Sequence, residues 1–161
     1  MQLAMNGYDF SLGPGGGSLA TLGVLTGNSV ILGLTDAMWQ KYAIGPHFNL
    51  PTANFCYHSR SNLDPSASPN DRAGLYQDWS AQAVLKRGGS FMVCHNALTN
   101  LANTLARKAA VNDEVALDEI SRNLLPGFLL VPAGVTAVQA CAGIRLETLH
   151  HVEREPNFRC R

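Results

Sequence analysis

A cysteine at the end of a predicted strand is the residue of this sequence best placed to do chemistry. Cys94 closes the apolar run 91–94 (FMVC), and residues 96–110 have the apolar spacing of a helix. A thiol near a helix N-terminus has its thiolate stabilised by the helix dipole and by free N–H groups, which lowers its pKa. The position therefore predicts a nucleophilic cysteine. The alternative is an inert buried thiol, since free cysteine is among the most buried residue types.

Other candidate side chains lie beside this cysteine or in a long polar segment. His95 adjoins Cys94 and offers a base, and His58 lies in a segment that can fold over the strand ends. Trp39 and Tyr42 lie on a predicted helix, where such residues are core or subunit-interface anchors more often than a ligand-stacking surface. The histidines have no metal-specific spacing, so solvated or hydrogen-bonded side chains are expected and no metal site is predicted. They are His47, His58, His95, His150 and His151.

Several motif classes are absent from the sequence. The cysteines form no CxxC pair and no regular framework, so neither a zinc site nor a disulfide scaffold is predicted. The glycine-rich segment 13–17 precedes a strand and is not followed by GK[ST], which argues against a phosphate-binding loop. No GxSxG motif of a serine hydrolase is present. We predict no cofactor.

Charge and hydropathy exclude other classes. Twelve Lys and Arg balance twelve Asp and Glu, so there is no electrostatic footprint for nucleic acid or for an anionic membrane. No apolar run reaches the ~18 residues of a membrane-spanning helix. The start lacks the basic region and apolar run of a secretory leader. A cytoplasmic location is expected if Met1 is the true start, and a periplasmic one if an export signal has been lost.

Strand and helix patterns alternate along the chain. Short apolar runs predict strands at 19–25, 91–94 and 128–131, and imperfect alternation predicts a last strand at 144–149. Helices are predicted over 2–10, 35–42, 75–87, 96–110, 113–125 and 133–142. This order predicts an α/β fold with a mostly parallel sheet and helices on both faces.

The chain has the length of one domain with a sizeable core. We expect residues 1–161 to form that domain. Residues 46–74 are rich in Pro, Asn and Ser and predict a long surface loop, long enough to act as a lid. Hydrophobic residues make up 46% of the chain and charged residues 15%. Apolar surface left over by a small domain is commonly buried against a copy of itself, which predicts a homo-oligomer.

Two segments carry a family resemblance. Residues 90–97 (SFMVCHNA) with the following helix, and residues 124–138 (LLPGFLLVPAGVTAV), resemble the DsrE/DsrF-like proteins of the sulfur-relay fold. Residues 6–10 (NGYDF) and 35–45 (TDAMWQKYAIG) resemble a less characterised branch of that family. The resemblance covers most of the chain outside the long loop. The family opens with a strand, whereas this chain begins in a helix, so the first strand is missing or another segment completes the sheet.

The resemblance implies a DsrE-like, flavodoxin-like three-layer sandwich that assembles as a trimer or hexamer. In sulfur-relay members the matching cysteine accepts sulfur as a persulfide and passes it to a partner thiol. Carried over, Cys94 is that acceptor, and Asn96 with the N–H groups of the next turn stabilises the anionic sulfur. The resemblance therefore implies a sulfur donor or acceptor protein as a partner.

Three functions remain open at this stage. A sulfur carrier or sulfurtransferase needs Cys94 accessible, with a low pKa, in a groove. A non-catalytic ligand-binding module uses the same cleft, walled by the long loop and by Trp39 and Tyr42 of a neighbouring subunit. A structural oligomeric module buries Cys94 and has no cavity beside it.

Overall fold

Three parallel strands form the centre of the structure, a computed structural model that describes residues 1–11 and 21–143. They are β1 (Leu22–Leu25), β2 (Ser90–Cys94) and β3 (Phe128–Val131), in the spatial order β1-β2-β3. The α/β prediction with a parallel sheet is confirmed. The glycine-rich segment 13–17 and the predicted strand at 144–149 lie outside the described residues.

Helices fill most of the remaining described chain. They are α1 (Gln2–Ser11), α2 (Asp36–Lys41), α3 (Ile44–Phe48), α4 (Ala81–Lys86), α5 (His95–Ala109), α6 (Asp113–Arg122) and α7 (Gly134–Gly143), with 3₁₀ turns at Gly27–Gly33 and Leu75–Gln77. Among the described residues, no helix combines the length and the apolar character needed to cross a membrane.

Helices cover both faces of the sheet, as predicted. Successive strand residues face opposite sides, and neighbouring residues of β2 accordingly belong to different clusters. Val93 packs in the main core with Leu98 of α5 and Ile120 of α6, whereas Met92 packs in a small cluster with Ala137 of α7. The central strand is therefore buried on both sides, which explains its uninterrupted apolar sequence.

The predicted helix over 75–87 is wrong in its middle. The chain forms a 3₁₀ turn, leaves helical geometry at Asp78 (φ −86°, ψ 119°), and restarts as α4 after Ser80. Ser80 caps α4 by accepting a hydrogen bond from the N–H of Ala83, and its own N–H donates to the Asp78 carboxylate. Local hydrogen bonds of Asp and Ser side chains thus compete successfully with a continuous helix.

Part of the predicted loop over 46–74 is helical, because α3 extends to Phe48. Left-handed residues bound this short helix on both sides, Ala43 at φ 47° and Asn49 at φ 55°. From residue 50 to 74 the chain has no regular helix or strand, as predicted. Its turns are closed by side-chain hydrogen bonds, for example from the N–H of Ser66 to Asp64.

A buried arginine ties α1 to the rest of the structure. The guanidinium of Arg87 has a side-chain exposure of 4% and donates to Gln2 Oε1 (2.8 Å), Asn6 Oδ1 (2.7 Å) and Asp9 Oδ2 (2.7 Å). These partners lie on one face of α1, at helical spacing. The same guanidinium lies over the ring of Tyr76 at 4.8 Å. Arg87 therefore anchors α1 through three of its side chains.

Replacing Arg87 is expected to release α1. Arg87→Ala leaves three acceptors without their donor, so we expect a loss of about 2–3 kcal/mol in the free energy of unfolding. Urea unfolding measures it, with Arg122→Ala as the control. Arg122 pairs with Asp118 on the surface of α6, and its loss should cost less than about 0.5 kcal/mol. Equal losses in the two variants would contradict an anchoring role for Arg87.

Candidate functional site

Cys94 occupies the junction between the central strand and the longest helix described. It is the last residue of β2 and the N-cap of α5, with extended backbone (φ −72°, ψ 117°). The 15 residues of α5 carry Arg107 and Lys108 in the last turn, which complements the helix dipole. The positive end of that dipole lies at the thiol. The predicted strand-to-helix position of Cys94 is therefore confirmed.

A second helix begins beside the same sulfur. Cys94 pairs with Val131 in the register of β2 and β3, so the chain leaving β3 turns into α7 at the same edge of the sheet. A Cβ atom at Gly134 would lie 3.5 Å from the Cβ and 3.9 Å from the Sγ of Cys94, and only 2.9 Å from Val24 Cγ1. The N-terminus of α7 can approach this closely because residue 134 is glycine.

The surroundings of Cys94 favour its thiolate. Burial of the sulfur raises the pKa of the thiol, but N–H groups of Ala97, Gly134 and Asn96 and the hydroxyl of Thr26 lower it by more. The net pKa therefore lies below the ordinary value of a cysteine. The donors come from three places in the chain, namely the turn after β1 and the first turns of α5 and α7. A thiolate is the reactive form of cysteine, so this arrangement suits a nucleophile.

A cavity of about 570 Å³ opens beside Cys94, a size within the usual range for small-molecule sites. Its lining contains no aspartate or glutamate. Cys94 contributes to the wall although only 6% of the residue is exposed. The lining comprises Thr26, Gly27, Asn28, His47, Phe48, Cys94, Asn96, Ala97, Asn100, Leu101 and Thr104. The wall therefore combines neutral amides and hydroxyls with apolar side chains, and a ligand in the cavity would lie beside Cys94.

His47 brings the only ionisable side chain of the cavity wall other than Cys94. It lies on α3 and its Nδ1 contacts Nζ of Lys108, near the end of α5. An ammonium group can only donate, so Nδ1 accepts this hydrogen bond. Lys108 thus lies next to the cavity wall, although it does not line the cavity itself.

Of the predicted binding residues, the structure brings one together with Cys94. Asn96 lines the cavity, whereas His95 is not part of its wall. His58 is exposed, pairs with Asp36 at 3.1 Å, and lines a different cavity. The side chains of Cys94 and His95, which are neighbours at the end of β2, thus diverge.

Trp39 and Tyr42 lie in the main core and do not line the cavity of Cys94. The indole N–H of Trp39 donates to the carbonyl of Ile31 at 2.9 Å, and the Tyr42 hydroxyl donates to Glu119 at 2.7 Å. Burial and this contact with Glu119 raise the pKa of Tyr42 to about 12. Both rings act as core anchors in the described chain, the role that aromatic residues on a helix most often have.

Several residues of the site were not found from the sequence, among them Thr26, Asn28 and Gly134. Thr26 and Asn28 lie in the turn that follows β1, and Gly134 opens α7. The rule that led to Cys94 applies to them as well, because the carboxyl ends of all parallel strands meet at one edge of the sheet. Treating the turn after each predicted strand as part of one site would have found these residues.

The other described cysteines differ from Cys94. Cys56 is a free thiol whose pKa is raised by burial. Cys141 on α7 is disulfide-bonded and does not titrate. No cluster of three or more metal-ligating side chains occurs among the described residues. Cys94 is thus the one free thiol in this part of the chain whose surroundings favour the anion.

The contribution of Thr26 to thiolate formation is testable. A hydrogen bond to a charged acceptor is worth ~1.5 kcal/mol, so Thr26→Val should slow alkylation of Cys94 at neutral pH by about tenfold. Thr26→Ser keeps the hydroxyl and should react at the wild-type rate. Alkylation is followed against pH by mass spectrometry of the Cys94 peptide. If Cys94 is alkylated as fast in Thr26→Val as in Thr26→Ser, the Thr26 hydroxyl does not contribute to thiolate formation.

Comparison with family models, curated proteins and solved structures gives no match to this chain. Any function proposed for this chain is therefore supported by its fold and by the geometry around Cys94.

Proposed function

We propose that this protein is a DsrE-like sulfur carrier or sulfurtransferase in which Cys94 holds sulfur as a persulfide. The observation that carries the proposal is the convergence of the N-termini of α5 and α7 and the Thr26 hydroxyl on one sulfur atom. This environment stabilises a negative charge on sulfur. Both the thiolate and the persulfide that it forms need that stabilisation.

The proposed reaction has two balanced steps. In the first, the Cys94 thiolate attacks the sulfane sulfur of a donor, a new S–S bond forms, and the old S–S bond breaks. The donor's remaining sulfur leaves with the bonding electron pair, so Cys94 becomes a persulfide anion. In the second, an acceptor thiolate attacks the terminal sulfur and takes it, and the Cys94 thiolate leaves. The pair of steps consumes no oxidant or reductant.

The depth of Cys94 suits a carrier that must hold a reactive group. The residue is buried at the edge of the sheet and lines the wall of the cavity. A persulfide placed there is shielded from other thiols, while the open cavity admits a small donor or an extended acceptor segment. The positive charge of Lys108 beside His47 further favours an anionic donor near this cavity.

A non-catalytic ligand-binding module is the second candidate. The side-chain amides of Asn28, Asn96 and Asn100 face the cavity and make no hydrogen bond within the described chain. Unpaired amides at a cavity wall are groups that a polar ligand can satisfy. In this alternative Cys94 only lines the wall.

Persulfide formation separates the two candidates. Exposure to inorganic polysulfide at neutral pH should add the mass of one sulfur atom to the Cys94 peptide of wild-type protein, and a free thiol acceptor should then remove it. Cys94→Ser should gain nothing, and Cys56→Ser, which removes the free thiol with a raised pKa, should behave as wild type. A Cys94 that stays unmodified until the protein is unfolded would refute the carrier and favour the binding module.

We also propose that the chain assembles as a homo-oligomer, trimeric or hexameric as the resemblance implies. In the described sheet β3 is an edge strand, and it exposes Leu129 and Leu130. Edge strands with exposed apolar side chains are rare in monomers because they pair with other chains.

Light scattering of the full chain tests this assembly. We expect a mass of three or six protomers, and Leu130→Lys should reduce it, because a charge on an edge strand opposes pairing. Leu3→Lys changes an exposed leucine of α1 and should leave the mass unchanged. A monomeric wild-type protein would contradict the assembly and leave the reaction of Cys94 untouched.

A further inference from the structure

A second cavity, of about 420 Å³, shares no lining residue with the cavity of Cys94. The long loop forms one wall, and the segment that interrupts the predicted helix before α4 forms another. Its lining includes Phe55, Arg60, Arg72, Asp78 and Trp79. Nothing in the proposed reaction of Cys94 uses this cavity.

The charges of this cavity are unbalanced. Arg60 and Arg72 both line it, and neither guanidinium forms an ion pair or hydrogen bond within the described chain. Other described arginines do have partners, such as Arg87 with Asp9. Two free guanidinium groups on one cavity wall attract an anion, since guanidinium binds carboxylate through paired hydrogen bonds.

The one acid in the described lining, Asp78, supplies a single negative charge against two guanidinium groups and forms no ion pair with either of them. Asp78 is buried, and its carboxylate accepts from the Ser59 hydroxyl (2.6 Å) and from the N–H groups of Arg60 (3.0 Å), Ser61 (3.1 Å) and Ser80 (2.9 Å). Its hydrogen-bonding capacity is used inside the protein. These bonds fix the backbone of residues 59–61 and so hold Arg60 at the cavity before any ligand binds, which lowers the entropic cost of binding.

Two aromatic rings add an apolar wall to the same cavity. Trp79 is 69% exposed and Phe55 is 47% exposed. The other tryptophan, Trp39, is fully buried, so exposure is particular to position 79. Exposed aromatic rings beside guanidinium groups form a surface on which a flat ligand can stack.

We propose that this cavity binds a small aromatic carboxylate. The ligand's carboxylate pairs with Arg60 and Arg72, and its ring packs against Trp79 and Phe55. A polyanion such as nucleic acid is not expected, because the chain as a whole carries no net charge.

Benzoate is the probe, and the indole N–H of Trp79 is the reporter. In ¹H–¹⁵N spectra of the full chain, Trp79→Phe assigns the indole peak of Trp79. We expect that peak to shift saturably with benzoate and much less with benzyl alcohol, which lacks the charge, or with acetate, which lacks the ring. Arg60→Gln and Arg72→Gln should each weaken benzoate binding by about tenfold, the effect of one lost charge-assisted contact.

Arg122→Gln is the matched control, because Arg122 is an exposed arginine on α6 outside the cavity. It should bind benzoate as wild type does. The proposal is overturned if benzoate causes no saturable shift, if benzyl alcohol binds as well as benzoate, or if the control loses affinity as the two cavity variants do. The indole spectrum of each variant without ligand shows whether that variant is folded. If Arg60→Gln does not fold, Arg72→Gln provides the test, since Arg72 is exposed. Because Cys94 is not part of this cavity, the outcome is independent of persulfide formation.

Discussion

The parallel register of the three strands is the constraint on which the site depends. Leu25 of β1 pairs with Val93, and Cys94 pairs with Val131 of β3, so all three strands end at the same edge. Segments that are distant in the sequence therefore meet there, among them the Thr26 turn and the start of α7. A slip of one residue in β2 would turn Cys94 to the other face and separate it from these donors.

Two free thiols of the same chain show what determines the reactivity of a buried cysteine. Burial acts on both Cys56 and Cys94 and raises the pKa of each. At Cys56 nothing opposes it, and the pKa remains above the ordinary value. At Cys94 the donors around the strand end outweigh it, and the pKa falls below. Burial alone would thus make Cys94 inert, and the donors supplied by two helix N-termini and a threonine reverse its effect.

The sequence patterns correctly predicted the strands and helices that depend on local interactions. The apolar run ending in Cys94, the helix that follows it and the strand at 128–131 were all recovered, because burial on both faces leaves a continuous apolar sequence. The break at Asp78 was missed, since its carboxylate is held by residues of the long loop that no local pattern connects to it. The Thr26 contact with Cys94 was missed for a similar reason, because it depends on strand register. The sequence therefore led to Cys94, whereas the groups that lower the pKa of its thiol became visible only in three dimensions.

The long loop has the length of a lid, but its anchors restrict how it can move. Buried Asn54 donates from its side chain to the carbonyls of Leu32 and Leu34, and its N–H donates to Asp36. Further along, Asp78 fixes residues 59–61. A rigid opening of the whole loop would break both sets of bonds, each to a buried polar group, at a cost of several kcal/mol. In the sequence His47 precedes Asn54 and Arg60 follows it, so the walls of the two cavities are anchored at different points of the loop.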